Sequence, residues 1–198
     1  PCAAVTAWDA LMVRGQLSAG ETVLILGSGG VSVFALQIAR KAGARVLAIS
    51  SSDEKCARLH AMGAHATHNY KTDPAWDEWA LTQTNGNGVD KVVEIGGPDT
   101  LNRSIKATRF GGHIALIGVL TGTSGDVQTV QILRKGIRLD GIYVGSRAMF
   151  QEMLEAMSGT QMRPVIDSTF AFKDAPAAFS HIEGGGHFGK IVVAVTPL

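Results

Sequence analysis

The turn Gly27-Ser28-Gly29-Gly30-Val31-Ser32, and the run Ser50-Ser51-Ser52 with Lys55 and Tyr70 beyond it, have residue types and spacing suited to binding phosphate groups. The first glycine of such a turn permits tight backbone curvature. The next, Gly29, lets the chain approach an anion closely, and the last position demands a small residue where helix meets strand. Ser32 stands where the usual G-x-G-x-x-G pattern has its third glycine, and serine is only slightly larger. Backbone N–H groups of Gly30 and Val31 would then face a pyrophosphate, assisted by the dipole of the following helix. A glycine-rich turn also occurs without a ligand. Here an apolar run precedes it and a helical pattern follows, which is the context a dinucleotide fingerprint requires. No Lys-Ser/Thr pair closes the turn, which excludes a P-loop.

The second strand sets the choice of dinucleotide. NAD sites place an acid near its end, where it binds the ribose hydroxyls. This strand ends in Ser50, followed by Ser51 and Ser52. An acid would repel a 2′-phosphate, whereas serines donate to it and Lys55 supplies a positive charge. Asp53, the nearest acid, reads better as an N-cap or first-turn residue of the next helix. NADP(H) is therefore expected over NAD(H). Taken singly, Lys55 reads better as a solvated helix lysine and Tyr70 as a packed aromatic; both fall at carboxyl-end positions beside the second strand, which moves the balance toward the phosphate.

These residues need a frame. Short apolar runs alternate with helical patterns along the chain: strands at "ETVLILG", "ARVLAIS", "HATHNY", "VDKVVEIGG", "GGHIALIGVL" and "IRLDGIYVG", with helices between them. A helix running to Gly15 precedes the first strand, and "PVIDSTFAF", "KDAPAAFSHIE" and "GKIVVAV" make a strand–helix–strand ending. This alternation implies an α/β fold: a doubly wound, six-stranded parallel Rossmann sheet whose ligands sit at the carboxyl ends of the strands. The expected division is residues 1–163 as the dinucleotide-binding domain and 164–198 as a C-terminal tail.

The 198 residues are 45% hydrophobic and 18% charged, with 18 basic against 17 acidic residues and a net charge of +1. That is globular composition with no electrostatic reason to bind nucleic acid. No apolar run approaches the ~20 residues that span a bilayer. Two cysteines, Cys2 and Cys56, fit no disulfide framework, so a reducing, cytoplasmic setting is expected and no leader peptide. The histidines His60, His65, His68, His113, His181 and His187 form no metal-binding spacing and read as structural or solvated.

The segments "PCAAVTAWDAL", "GSGGVSVFALQIARKAGARV", "SSSDEK", "HNYKT", "GVDKVVEIGGPDTL", "GGHIALIGVL", "GSRAMF" and "GGGHFGKIVV" together resemble the cofactor-binding half of the medium-chain dehydrogenase/reductase superfamily, closest to its zinc-type alcohol dehydrogenase and quinone oxidoreductase branches. The resemblance implies that Gly27, Ser28, Gly29, Gly30 and Val31 carry the pyrophosphate and that Ser51, Lys55 and Tyr70 surround the 2′-phosphate beside Ser50. It further places Gly96 and Gly97 over the adenosine and ribose, Val119 and Leu120 at the nicotinamide carboxamide, Thr6 near the nicotinamide, and Lys190 on the phosphates unless it is merely an edge-strand lysine.

In that resemblance Cys2, four residues before Thr6, matches a zinc ligand. Tetrahedral zinc needs three protein ligands, however, and zinc is not expected in this chain. The resemblance implies a GroES-like catalytic domain that this chain does not contain, against which the tail would pack. The chain, opening at Pro1 on a helix, reads as cut from a longer one and as inactive alone. The whole enzyme would transfer hydride between NADP(H) and an alcohol or carbonyl, or a quinone or enone. A homodimer through the sixth strand, near Ile137 to Val144, is also implied. The alternatives are a non-catalytic NADP(H)-sensing or scaffold module, and a methyltransferase-like domain in which "GGHFGK" would have no role.

Overall fold

The computed structural model describes residues 1–160 and 162–196, so the last two residues of the expected tail lie outside it. Six parallel strands form the central sheet: β1 Thr22–Leu26, β2 Arg45–Ser50, β3 Ala66–Asn69, β4 Val89–Glu94, β5 Thr108–Leu116 and β6 Arg138–Gly141. Their order is β3-β2-β1-β4-β5-β6, so the strand order reverses between β1 and β4. The helices are α1 Cys2–Trp8, α2 Gly30–Lys41, α3 Asp53–Ala61, α4 Trp76–Gln83, α5 Pro98–Ala107, α6 Thr129–Lys135, α7 Arg147–Ser158 and α8 Ala175–Glu183. This is the doubly wound α/β architecture expected from the alternation of elements.

The apolar run of β1 is buried along its whole length, because both faces of the sheet are covered. Its residues alternate between two cores. Val23 and Ile25 join Leu36 of α2, Leu59 of α3 and Met153 of α7. Leu24 and Leu26 join Ala80 of α4 and Leu101 and Ile105 of α5. The strict period of two along β1 thus decides which helices it holds on each face.

Three boundaries differ from expectation. The first helix does not run uniformly to Gly15: α1 passes at Asp9–Val13 into a π turn, with Arg14 N–H donating to Asp9 C=O at 2.8 Å. Strand β5 begins at Thr108, three residues before the glycine pair taken as its start. Strand β6 has four residues and stops at Gly141 because the backbone of Ile142 is the last to bond β5, through Leu116.

The tail forms β7 Ile166–Ala171, α8 and β8 Lys190–Ala194, with β7 and β8 pairing as a separate parallel two-stranded sheet. The tail is nonetheless stitched to the main sheet. Gly189 bridges Gly29, and its N–H donates to Ser28 C=O at 2.9 Å. Segments far apart in sequence therefore meet at the glycine turn.

Candidate functional site: a cleft at the carboxyl ends of the strands

A cleft of about 700 Å³ opens where β1, β2, β4 and β5 end, at the reversal of strand order. Its size falls within the ~300–1,000 Å³ typical of ligand pockets, and its position is where α/β sheets bind ligands. Gly27, Ser28, Gly29, Gly30 and Val31 form one wall, with Ser50, Ser51, Lys55 and Tyr70 along the adjoining side. Gly96 and Leu120 close the side under β4 and β5.

The glycine turn is built by distinct constraints. Gly27 has φ +75°, a left-handed conformation that disfavours any side chain. Gly29 is the N-cap of α2 and makes no side-chain cap, so the first N–H groups of that helix stay free for a ligand. A Cβ at Gly30 would stand 2.6 Å from Cδ of Lys190, which packs over the turn. Ser32 is fully buried, and its hydroxyl donates to Leu26 C=O at 2.6 Å. The serine in the third-glycine position is thus a strand-to-helix clasp. A glycine there would leave that carbonyl without this donor.

At the end of β2, Ser50 is buried, and its hydroxyl bonds the Ser28 hydroxyl at 3.1 Å, linking the two turns beneath the cleft. Ser52 is the N-cap of α3, accepting from Lys55 N–H at 3.3 Å. Asp53, the nearest acid, accepts from Asn69 Nδ2 at 2.8 Å. The Lys55 ammonium reaches across the cleft to donate to Gly185 C=O at 3.0 Å.

The loop after β4 is organised by Glu94, which is fully buried. Its Oε1 accepts from Gly96 N–H (2.7 Å), Gly97 N–H (3.2 Å) and Thr100 Oγ1 (2.6 Å), and Ser104 Oγ donates to Oε2. Four donors on one carboxylate offset the cost of burying it and set the path of the chain from β4 into α5. Thr121 N–H then donates to Gly96 C=O at 2.8 Å, tying the loop after β5 to the same turn.

Four expected residues stand outside the lining. Thr6 is buried and donates its hydroxyl to Cys2 C=O at 2.7 Å, within its own helix. Gly97 is the N-cap of α5 with φ +105°. Val119 is 59% exposed beside the cleft, next to Leu120 at 80%. Lys190 lies over Gly30. Cys2 is exposed, and among the described residues no group of three or more His, Cys, Asp or Glu side chains could hold a metal ion. One thiolate does not make a zinc site, so the residues present do not fit zinc.

The tail contributes wall residues that the sequence reading left aside: Ile182, Gly185 and His187. The glycine density of "GGGHFGK" was the available signal, since glycines permit close backbone approach. Buried His113 has structural partners: its Nε2 lies 3.1 Å from Asp140 and it is held at about pKa 4 by burial and by Arg138, against Asp140. Half-buried His181 lies 3.0 Å from Asp167.

Comparison with known proteins places this geometry in a family. Residues 30–159 match the family model described as "Zinc-binding dehydrogenase". The chain is 41% identical over 201 residues to a zinc-type alcohol dehydrogenase-like protein of Schizosaccharomyces pombe, covering 98% of this chain and 58% of that one. It superposes on a crystal structure described as an NAD-dependent alcohol dehydrogenase with TM-score 0.92 and 31% identity, covering 99% of this chain and 57% of that one. It also superposes on a crotonyl-CoA carboxylase/reductase in complex with NADP, with TM-score 0.86 and 25% identity, covering 96% and 54%. The chain spans a little over half the length of these proteins.

Proposed function

The chain belongs to the zinc-binding dehydrogenase family, in the medium-chain dehydrogenase/reductase superfamily, and from that premise we propose that it is the NADP(H)-binding part of an oxidoreductase. The observation that carries the proposal is the convergence of the uncapped α2 N-terminus, Ser51, Lys55 and Tyr70 on one cleft at the reversal of strand order. One solved relative holds NADP and another is described as NAD-dependent, so family membership leaves the choice of nucleotide to the residues. Strand β2 ends in a serine engaged with Ser28, and one oxygen of Asp53 accepts from Asn69, so the strand-end position itself carries no acid against a 2′-phosphate.

The nicotinamide, when bound, supplies or accepts the hydride. The chain's own residues bind and orient. N–H groups at the start of α2 receive the pyrophosphate, and Lys55 and Ser51 receive the 2′-phosphate. The Glu94-built loop and Leu120 border the remainder of the cleft. Hydride transfer with an alcohol or carbonyl, or a quinone or enone, is the activity proposed for the whole protein. Groups that stabilise the developing oxyanion are proposed to lie in the portion of the relatives this chain does not span, with residues 164–198 packing against it, and the chain alone is proposed to be inactive. Residues 1–163 are the proposed dinucleotide-binding unit, and β6, at the sheet edge, is the proposed dimer contact.

Nucleotide fluorescence titrations test the reading. NADPH is expected to bind more tightly than NADH, and tighter binding of NADH would overturn the assignment of Ser50, Lys55 and Tyr70.

A further inference from the structure

His187 lies in the wall of the cleft, and the mechanism above gives it no part. Its position is set by backbone clamps on the C-terminal side. Phe188 N–H donates to Asp167 Oδ1 at 2.9 Å, and the buried Phe188 ring lies under Arg58, with Cζ 4.0 Å from its centroid. Gly189 N–H holds Ser28 C=O at 2.9 Å. The residue thus shares the cleft wall with the glycine turn and with Lys55, whose ammonium donates to Gly185 C=O two residues away.

One edge of that imidazole is spare. Nδ1 is buried and has no hydrogen-bond partner among the described residues. Nδ1 is sealed from the cleft, so a ligand there meets the ring through Nε2, which likewise has no hydrogen-bond partner among the described residues. The charged groups around it are Lys55 of α3 and Lys190 of β8, with the carboxylate of Asp167 of β7, which is itself engaged with His181 of α8. A neutral acceptor or a cation would gain little here, whereas an anion would satisfy both the lysines and the ring.

Resting on the cofactor reading above, we propose that His187 is a phosphate ligand of the dinucleotide, donating from its imidazolium to a phosphate oxygen beside Lys55, so that binding is coupled to proton uptake by the ring. Without a ligand, burial, with Lys55 adding to it, holds the His187 pKa below the usual imidazole value. A phosphate placed against it reverses the sign of the dominant neighbouring charge and raises that pKa. Affinity carried by His187 is therefore present at low pH and lost as pH rises through the pKa of the bound form. The 2′-phosphate, whose own pKa is about 6, works in the opposite direction, gaining charge as pH rises. Only a wild-type-to-variant ratio isolates the histidine.

The test compares wild type with His187→Gln and His187→Asn, titrating NADPH and NADH between pH 6 and pH 8, with circular dichroism to verify the fold. The wild type is expected to bind NADPH about tenfold more tightly than either variant at pH 6, the ratio shrinking to about twofold at pH 8. Calorimetry in two buffers of different ionisation enthalpy should show more proton uptake by the wild type than by the variants. A ratio confined to NADPH places the contact on the 2′-phosphate, and an equal ratio with NADH places it on the pyrophosphate; both support the proposal. NADPH binding with a ratio near one at pH 6, or a ratio independent of pH, overturns it while leaving the cofactor reading intact. Failure of both nucleotides to bind wild type at any pH overturns the cofactor reading and the proposal together.

Discussion

Replacing Lys55 separates its two roles. In the structure its ammonium donates to Gly185 C=O at 3.0 Å, closing the tail over the cleft. To meet a 2′-phosphate it must exchange or share that bond. A neutral acceptor is worth about 1 kcal/mol net and a charge-assisted bond to phosphate about 1.5–3 kcal/mol, so the net gain specific to the phosphate is about 0.5–2 kcal/mol. Because each 1.4 kcal/mol is a factor of ten, Lys55→Ala should weaken NADPH by about 2–30-fold. NADH lacks the phosphate and should change by less than about threefold, through loosening of the tail alone. Lys55→Gln sharpens the test, since its amide can still donate to Gly185 but carries no charge. It should reproduce the NADPH loss and leave NADH at wild-type affinity. The assay is nicotinamide fluorescence at moderate salt, repeated at high salt to screen the charge. Equal losses for both nucleotides in both variants would refute the assignment and leave Lys55 as a tail clamp.

Three further outcomes are expected. Ser32→Ala removes the buried donor to Leu26 C=O at 2.6 Å and should cost about 1–3 kcal/mol in urea unfolding; a loss below about 0.5 kcal/mol would mean the clasp is unimportant. His113 has a folded pKa of about 4 against 6.5 unfolded, so the unfolded chain binds the extra proton first: stability is level above pH 6.5 and falls as pH drops toward 4. The wild type should lose about 2–3 kcal/mol between pH 7 and pH 4.5 that His113→Gln does not lose, and parallel pH profiles would refute this. The edge strand β6, with Tyr143 beside it 97% exposed, is expected to pair with a second copy, giving a dimer by light scattering; a monomer at micromolar concentration would refute it.

Local pattern was enough to read the alternation of strands and helices, the six-stranded parallel sheet and the location of the cleft. The burial of β1 and the helical spacing of α2 are properties of adjacent residues, and right-handed crossovers leave little freedom in how such units assemble. The serines of the β2 turn, Lys55 and Tyr70 were legible for the same reason, since the end of a strand beside the glycine turn is a fixed address. The short β6 was not legible because its length depends on what β5 bonds, and the π turn at Asp9–Val13 was not because it rests on a backbone bond from Arg14 to Asp9 that no residue type marks.

Tertiary structure alone decided the rest. Glu94 reads as an ordinary strand-end acid until Gly96, Gly97, Thr100 and Ser104 are seen converging on it. Ser50 reads as a strand-end serine until its hydroxyl is found on Ser28, joining the two turns beneath the cleft. His187 reads as a tail histidine until Gly189 is seen seated on the glycine turn. In each case the deciding bond joins residues whose proximity is set by the packed fold, and a donor or acceptor carries no mark in the sequence of which distant partner will satisfy it.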